Sequence, residues 1–163
     1  MGTRRKLHPV ARLLEALEAE EIRFMLIGMS AAIVQGVMGS TLDVDLWLDL
    51  PKRQYMRAQN IAKRLGAEMG ANTVAFLEDG TPMNFVYEVN GLGIFEKEFK
   101  HTTRLEFCGK VIPVLTLERI LKSKEAIRRD KDIPHIIHIK NLLRCRRSVR
   151  SKRKPLLRKR AKQ

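Results

Sequence analysis

Residues 24–50 read FMLIGMSAAIVQGVMGSTLDVDLWLDL, and this stretch predicts the fold around it. An apolar run ends at Gly28 and is followed closely by Ser30, which is typical of a strand that turns directly into a helix. The first turn of a helix leaves backbone N–H groups unpaired, so it can bind an anion. Asp43 and Asp45 lie two residues apart in the next run and would share one face of a strand. The stretch therefore indicates a phosphate site beside a divalent-cation site.

The remaining sequence alternates between helix and strand patterns. Helices are predicted over residues 9–21, 30–37, 51–65, 117–129 and 133–145, and strands over residues 22–27, 42–48, 73–77, 83–89, 104–108 and 111–115. We expect strand 42–48 to be central and half-buried, with an acidic exposed face. The order, without a repeat or a second domain, predicts an α+β (α/β-like) fold with a central mixed β-sheet flanked by helices.

Charge is concentrated at the two ends of the chain. The formal net charge is +14, but residues 141–163 contain eleven Lys or Arg and no Asp or Glu. Arg4, Arg5 and Lys6 add three more, so residues 7–140 carry no net charge. The body therefore does not predict a basic surface for nucleic acid. We predict a basic N-terminal segment (1–8), one domain (9–145) and a basic disordered tail (146–163).

Composition predicts a soluble cytoplasmic protein. The two cysteines, Cys108 and Cys145, are far apart, which favours reduced thiols over a disulfide framework. Residues 1–17 lack the apolar core of a signal peptide. Residues 24–42 are uncharged but contain too many Gly, Ser, Thr and Gln residues for a membrane span, so no membrane partner is expected.

The Gly28-x-Ser30 turn followed by Asp43-Val44-Asp45-Leu46 resembles the DNA polymerase β-type nucleotidyltransferase superfamily, particularly its small prokaryotic (minimal, antitoxin-like) members. The similarity extends to Ser123-Lys124 and Lys131-Asp132, and it covers roughly residues 22–140. The family implies a nucleotidyltransferase fold.

The resemblance also implies an activity and its residues. It implies Mg²⁺-dependent transfer of an NMP from an NTP to a hydroxyl of a protein, RNA or small-molecule acceptor. Asp43 and Asp45 would be catalytic and would hold two Mg²⁺ ions when NTP is bound. Nucleotide binding would fall to Gly28, Ser30, Lys124 and Lys131.

Asn84 departs from the family pattern. The family supplies a third carboxylate at this catalytic position, whereas an amide has no charge and is a poor general base. Glu88 would share the strand face but lies about 13 Å further along a strand, so it is not a replacement.

Two other functions remain open from the sequence. A degenerate member would bind nucleotide without efficient turnover and act as a sensor or as an antitoxin-like partner of a toxin-like protein. Alternatively, the basic tail would bind nucleic acid, although a solvated tail with weak nonspecific affinity is the simpler interpretation.

Several site residues also have ordinary structural interpretations. Asp43 and Asp45 would be solvated charges on an edge strand, and Trp47 would either stack on a base or pack in the core. His135 and His138 would form a metal-binding face with Asp132, or they would be surface residues behind an Asp132 helix cap.

Overall fold

The computed structural model describes residues 7–71 and 73–160, with side chains described as far as residue 152. Most of the predicted basic segment 1–8, including Arg4, Arg5 and Lys6, lies outside the described residues. Within them, the helices are α1 (Pro9–Ala19), α2 (Gly28–Val34), α3 (Tyr55–Arg64), α4 (Phe95–Phe99), α5 (Leu117–Ile127) and α6 (Ile133–Arg160). The strands are β1 (Phe24–Ile27), β2 (Val44–Leu48), β3 (Glu68–Ala71), β4 (Val74–Phe76), β5 (Pro82–Val86), β6 (Thr102–Phe107) and β7 (Lys110–Leu115). Short 3₁₀ turns occupy Lys52–Gln54 and Asp130–Asp132.

The strands form one mixed sheet in the order β3-β4-β5-β2-β1-β7-β6. The β1–β7 and β2–β5 pairs are parallel, and the other pairs are antiparallel. The predicted fold class, a central mixed sheet flanked by helices, is confirmed. The acidic strand β2 lies in the middle of the sheet, as predicted.

Strands β1 and β2 are buried on both faces. All four residues of β1 are buried, and in β2 only Asp45 is not. The prediction that β2 is half-buried with an acidic exposed face is therefore wrong, because helices cover both sides of the central sheet. Trp47 is 1% exposed, donates its Nε1 hydrogen to the Tyr87 carbonyl oxygen at 3.1 Å and meets the Phe95 ring edge-on. It packs in the core and presents no ring for stacking on a base.

Helix α1 supplies a regular apolar stripe to this core. Val10, Leu13, Leu14 and Leu17 are at most 1% exposed, and their spacing of three and four residues places them on one face. Pro9 occupies the first turn, where its missing N–H costs no hydrogen bond.

The sequence did not predict β3 and α4. Strand β3 is a largely exposed edge strand that is held by pairing with β4, so it lacks the apolar alternation that marks a strand. Helix α4 has only five residues, too few to show a helical period. The strands predicted over residues 104–108 and 111–115 are present as β6 and β7, which pair as an antiparallel hairpin.

Helix α6 is longer than predicted. The sequence indicated an end near residue 145, but the helix continues to Arg160, through most of the interval predicted as a disordered tail. Arg and Lys favour helix, and the docked first half removes the cost of nucleation for the residues before Pro155. Pro155 itself lacks the N–H of a helical hydrogen bond. The division into segment, domain and tail stays a prediction. No helix in the part of the chain described here is long and apolar enough to cross a membrane.

Candidate active site

Three neighbouring strands bring the predicted site residues together. Asp45 in β2 lies opposite Ile27 in antiparallel β1 and opposite Asn84 in parallel β5. Gly28 follows Ile27 directly and begins α2. Gly28, Asp45 and Asn84 therefore form a row across the three central strands, where β1 ends and β2 begins. We call this end of the central strands the cation edge.

Gly28 makes room for the Asp45 carboxylate. Its φ is +68°, in the left-handed region, and a Cβ placed there would lie 2.2 Å from Asp45 Oδ2. A side chain at residue 28 would therefore have to displace the Asp45 carboxylate. Glycine at this position allows the strand-to-helix turn and the Asp45 carboxylate to lie against each other.

Ser30 ties the same turn to Asp43. The Ser30 hydroxyl is buried and donates to the Asp43 carbonyl oxygen at 2.8 Å, and Thr41 Oγ1 donates more weakly to that oxygen at 3.4 Å. The resemblance implies that Ser30 takes part in nucleotide binding, and this stays a prediction. In the structure the Ser30 hydroxyl orients the backbone at Asp43, which places the two aspartates in a defined relation to α2.

Asp45 is largely removed from water. Burial raises the pKa of its carboxyl above the ordinary value; the hydrogen bond from Asn84 lowers it and the nearby Asp43 carboxylate raises it. That hydrogen bond is donated by Asn84 Nδ2 to Asp45 Oδ1 at 3.0 Å. Ionised Asp45 is thus disfavoured by both burial and a like charge, a situation that a bound cation would relieve.

The residues present fit a hard divalent cation. Asp43 and Asp45 offer carboxylate oxygens, and Asn84 can offer its amide oxygen because its nitrogen is directed to Asp45. Asp43 is exposed, so this edge is open to solvent. Asn84 brings no third negative charge, so the site is less anionic than a three-carboxylate site.

The buried Asp132 carboxylate forms an ion pair with Lys124, the lysine predicted to bind phosphate. Lys124 Nζ lies 3.0 Å from Asp132 Oδ1, and Arg129 Nε lies 2.7 Å from Asp132 Oδ2. The Asp132 side chain is 2% exposed. Burial opposes ionisation of Asp132, but the hydrogen bonds from Arg129 and Lys124 outweigh it and lower the pKa to about 2.

The basic residues Lys124, Arg129 and Lys131 lie close enough to Asp45 to interact with it electrostatically. Lys124 and the exposed Lys131 both lower the pKa of Asp45, and Asp45 in turn raises that of Arg129. The sequence did not identify Arg129 as a site residue, nor Asp132 as the partner of Lys124. The only sequence signal was the run Arg128-Arg129-Asp130-Lys131-Asp132, which also fits an ordinary solvated turn.

The histidines of α6 do not form a metal face with Asp132. The Asp132 carboxylate is committed to Lys124 and Arg129, and it does not cap α6 as the sequence suggested. His138 Nδ1 lies 3.0 Å from the Met38 carbonyl oxygen. His135 has a buried Nδ1 without a hydrogen-bond partner, and burial lowers the pKa of its imidazole. No group of three His, Cys, Asp or Glu side chains within the described ranges is suited to a metal.

A cavity of about 280 Å³ opens beside Asn84. Polar side chains from three parts of the chain line it, among them Lys52, Thr73, Glu88 and Asn90. Glu88 is exposed and lies beyond the end of β5. The cavity offers space for a polar molecule next to the position where the family pattern has its third carboxylate.

Solved structures show which fold this is. The antibiotic-resistance factor ANT(2'')-Ia matches with a TM-score of 0.55 and 15% identity over 94% of this chain and 96% of that chain. A putative nucleotidyltransferase from Thermotoga maritima matches with a TM-score of 0.51 and 16% identity, covering 83% of this chain and 90% of that one. The lincosamide antibiotic adenylyltransferase LnuA, solved with lincomycin bound, matches with a TM-score of 0.51 and 15% identity, covering 81% and 94%.

The chain has the nucleotidyltransferase fold, which confirms the fold predicted from the resemblance. No family model and no curated protein sequence matches it. At these identities the likeness establishes the fold alone.

Proposed function

We propose that this chain is a Mg²⁺-dependent nucleotidyltransferase that moves an NMP from an NTP to a hydroxyl of an acceptor. One observation carries the proposal: in a nucleotidyltransferase fold, Gly28 leaves room for the Asp45 carboxylate at the edge where Asp43 and Asn84 also lie. A solvated edge-strand role for the aspartates does not fit, since β2 is central and Asp45 is largely buried.

Each part of the site has a role in this reaction. Asp43 and Asp45 would hold Mg²⁺, which neutralises charge on the phosphates and on the attacking and leaving oxygens when bound. The unpaired N–H groups of the first turn of α2, with Lys124 and Lys131, would bind the phosphates. Asn84 would orient Asp45 by its hydrogen bond, and the cavity beside it would receive the acceptor.

Labelled NMP transfer from each NTP, in Mg²⁺, tests the proposal. Asp43→Asn and Asp45→Asn should each lower the transfer rate by about 100-fold or more, since a lost cation ligand removes several kcal/mol of transition-state stabilisation. Asp49→Asn is the matched control, because Asp49 follows the opposite end of β2, where it pairs with Arg23. Activity that persists in both site variants would exclude the assignment.

A second candidate, nucleotide binding without efficient turnover, is favoured by Asn84. An amide cannot accept the proton of an attacking hydroxyl, so a protein of this kind would serve as a sensor or as the partner of a toxin-like protein. It keeps the same NTP and Mg²⁺ site.

Asn84→Asp distinguishes the two candidates. If the missing base limits turnover, this change should raise the transfer rate at least about 10-fold, because general-base catalysis contributes about 100-fold or more. Asn90→Asp adds the same charge to the same cavity and serves as the control. Wild-type turnover with no gain in Asn84→Asp excludes the binding-only candidate, and NTP binding with a gain only in Asn84→Asp supports it.

A further inference from the structure

The positive charge of the chain is concentrated in its last two helices and the residues after them. Residues 117–163 contain eighteen Lys or Arg and four Asp or Glu, which accounts for the whole formal net charge of +14. From residue 133 onwards there is no acidic residue at all. Lys140 pairs with Glu125 of α5 at 2.6 Å. A segment without an acidic residue of its own repels itself, so its remaining charge attracts counterions from solvent or from a partner.

The C-terminal half of α6 displays this charge on a regular helix. Five basic side chains are exposed on it: Arg144, Arg146, Arg147, Arg150 and Lys152. At 100° per residue they spread over about two thirds of the helix circumference. We call residues 144–152 of α6 the basic arm.

The basic arm is firmly joined to the domain that carries the site. Ile139 and Leu143, which precede it in α6, are buried in the core. Arg146 donates a hydrogen bond to the carbonyl oxygen of Gln35, the residue that follows the last turn of α2. Helix α2 begins at Gly28 and has seven residues, so this anchor lies about 10 Å along α2 from the candidate site.

We propose that the basic arm is a docking surface for structured RNA, and that RNA is the acceptor class of the proposed transfer; only the second part rests on the proposed function. Arg pairs bidentately with phosphate, and arginine-rich segments are a common RNA-binding module. Residues 133–163 contain no Phe, Trp or Tyr, so stacking of unpaired bases is not available. The arm therefore fits the backbone of a paired stem.

Two other polyanions fit this surface less well. Helices that enter the major groove of DNA read base edges with Asn and Gln as well as Arg, and residues 144–160 contain neither Asn nor Gln. Helices that lie on membranes have a broad apolar face with Trp, Phe or Leu, whereas Val149 is the one large apolar residue of the basic arm.

The test measures binding of the full chain to an RNA hairpin. Arg144→Gln, Arg147→Gln and Arg150→Gln are combined in one variant, which leaves the Arg146 anchor intact. We expect about 10-fold weaker binding, and a slope of log affinity against log salt that is reduced by about 2, because three phosphate contacts are lost.

The matched control removes the same charge elsewhere. Arg53→Gln, Arg57→Gln and Lys63→Gln are exposed substitutions on or before α3 and should leave RNA binding within about 2-fold of wild type. Equal losses in both triple variants would overturn the proposal, since binding would then follow net charge alone. The proposal would also be overturned if a DNA hairpin of the same sequence, or vesicles of anionic lipid, bound as tightly as the RNA hairpin.

The design separates this inference from the proposed function. The arm variant should bind Mg²⁺-NTP normally, and Asp45→Asn should bind the RNA hairpin normally, because the two surfaces use different residues. Absence of NTP binding in the wild type would overturn the proposed function and leave RNA docking standing. RNA affinity that is unchanged in the arm variant would overturn RNA docking alone.

Discussion

At residue 28, the absence of a side chain is what the site depends on. Gly28 and Gly80 both have positive φ, +68° and +83°, but only Gly28 faces another residue at short range. In Gly28 the space of a Cβ is occupied by the Asp45 carboxylate, whereas nothing lies within 4 Å of a Cβ at Gly80.

This contrast provides a prediction. Gly28→Ala and Gly80→Ala should each lose about 1 kcal/mol of unfolding free energy from left-handed strain, as measured by urea denaturation. Gly28→Ala should in addition weaken Mg²⁺-dependent NTP binding at least about 10-fold, because the displaced carboxylate costs more than 1.4 kcal/mol of binding free energy. If the two variants bind NTP equally well, the contact between Gly28 and Asp45 has no functional role.

Residue types and short spacings predicted which residues lie together at the candidate site. They did not predict how the side chains of these residues are oriented. The pattern predicted Gly28 beside a strand with Asp43 and Asp45, and these residues lie at one edge of the sheet. The pattern could not show that the Ser30 hydroxyl faces the Asp43 carbonyl oxygen, because that contact depends on how α2 packs on β2. It also could not show that Trp47 is covered, since alternation in one strand does not reveal what lies on each face.

At the scale of elements, Asp132 links α5 to the start of α6. Its carboxylate accepts hydrogen bonds from Lys124 of α5 and from Arg129 of the connecting turn, and it is almost completely buried. Its pKa falls from an ordinary 3.8 to about 2. A lowered carboxyl pKa contributes stability that is fully present above the unfolded-state value and is lost as pH falls through the folded-state value.

Asp132→Asn should therefore lower the unfolding free energy at pH 7 by about 2 kcal/mol, which corresponds to the pKa shift. The difference from wild type should shrink between about pH 4 and pH 2, as wild-type Asp132 becomes protonated. Denaturant titrations at several pH values measure this. Asp130→Asn, an exposed change in the same 3₁₀ turn, should have little effect, and a pH-independent difference for Asp132→Asn would contradict the ion-pair explanation.

Elements with a strong hydrophobic period were predictable, whereas those held by neighbours were not. Helix α1 and strand β1 have apolar runs that are self-evident in the sequence. Strand β3 exists because β4 pairs with it, and the second half of α6 exists because the first half is docked. In these cases the stabilising partner lies elsewhere in the chain, so a local pattern cannot reveal it.

At the scale of the whole molecule, the site should be coupled to global stability. Burial disfavours the charged form of the Asp45 side chain. A ligand that binds only the folded chain stabilises the folded state by mass action. Mg²⁺ and NTP at about 100 times their dissociation constant should raise the melting temperature by roughly 5 to 10 °C. Differential scanning fluorimetry measures the shift.

The shift should require both the metal and its ligands. EDTA should abolish it, as should Asp45→Asn, while Asp49→Asn should retain it. An equal shift with EDTA present would mean that NTP binds without the aspartates, in which case the cation site is misassigned.

The parallel pairing of β2 with β5 also has a consequence during synthesis of the chain. Residues 49–81, with α3 and two strands, separate the two partners, so β2 leaves the ribosome well before β5 is available. Until Asn84 has emerged, the β5-facing edge of β2 carries unpaired backbone groups that can join another chain. During this interval the nascent chain is therefore open to such pairing, and the candidate cation site is complete only once Asn84 has emerged.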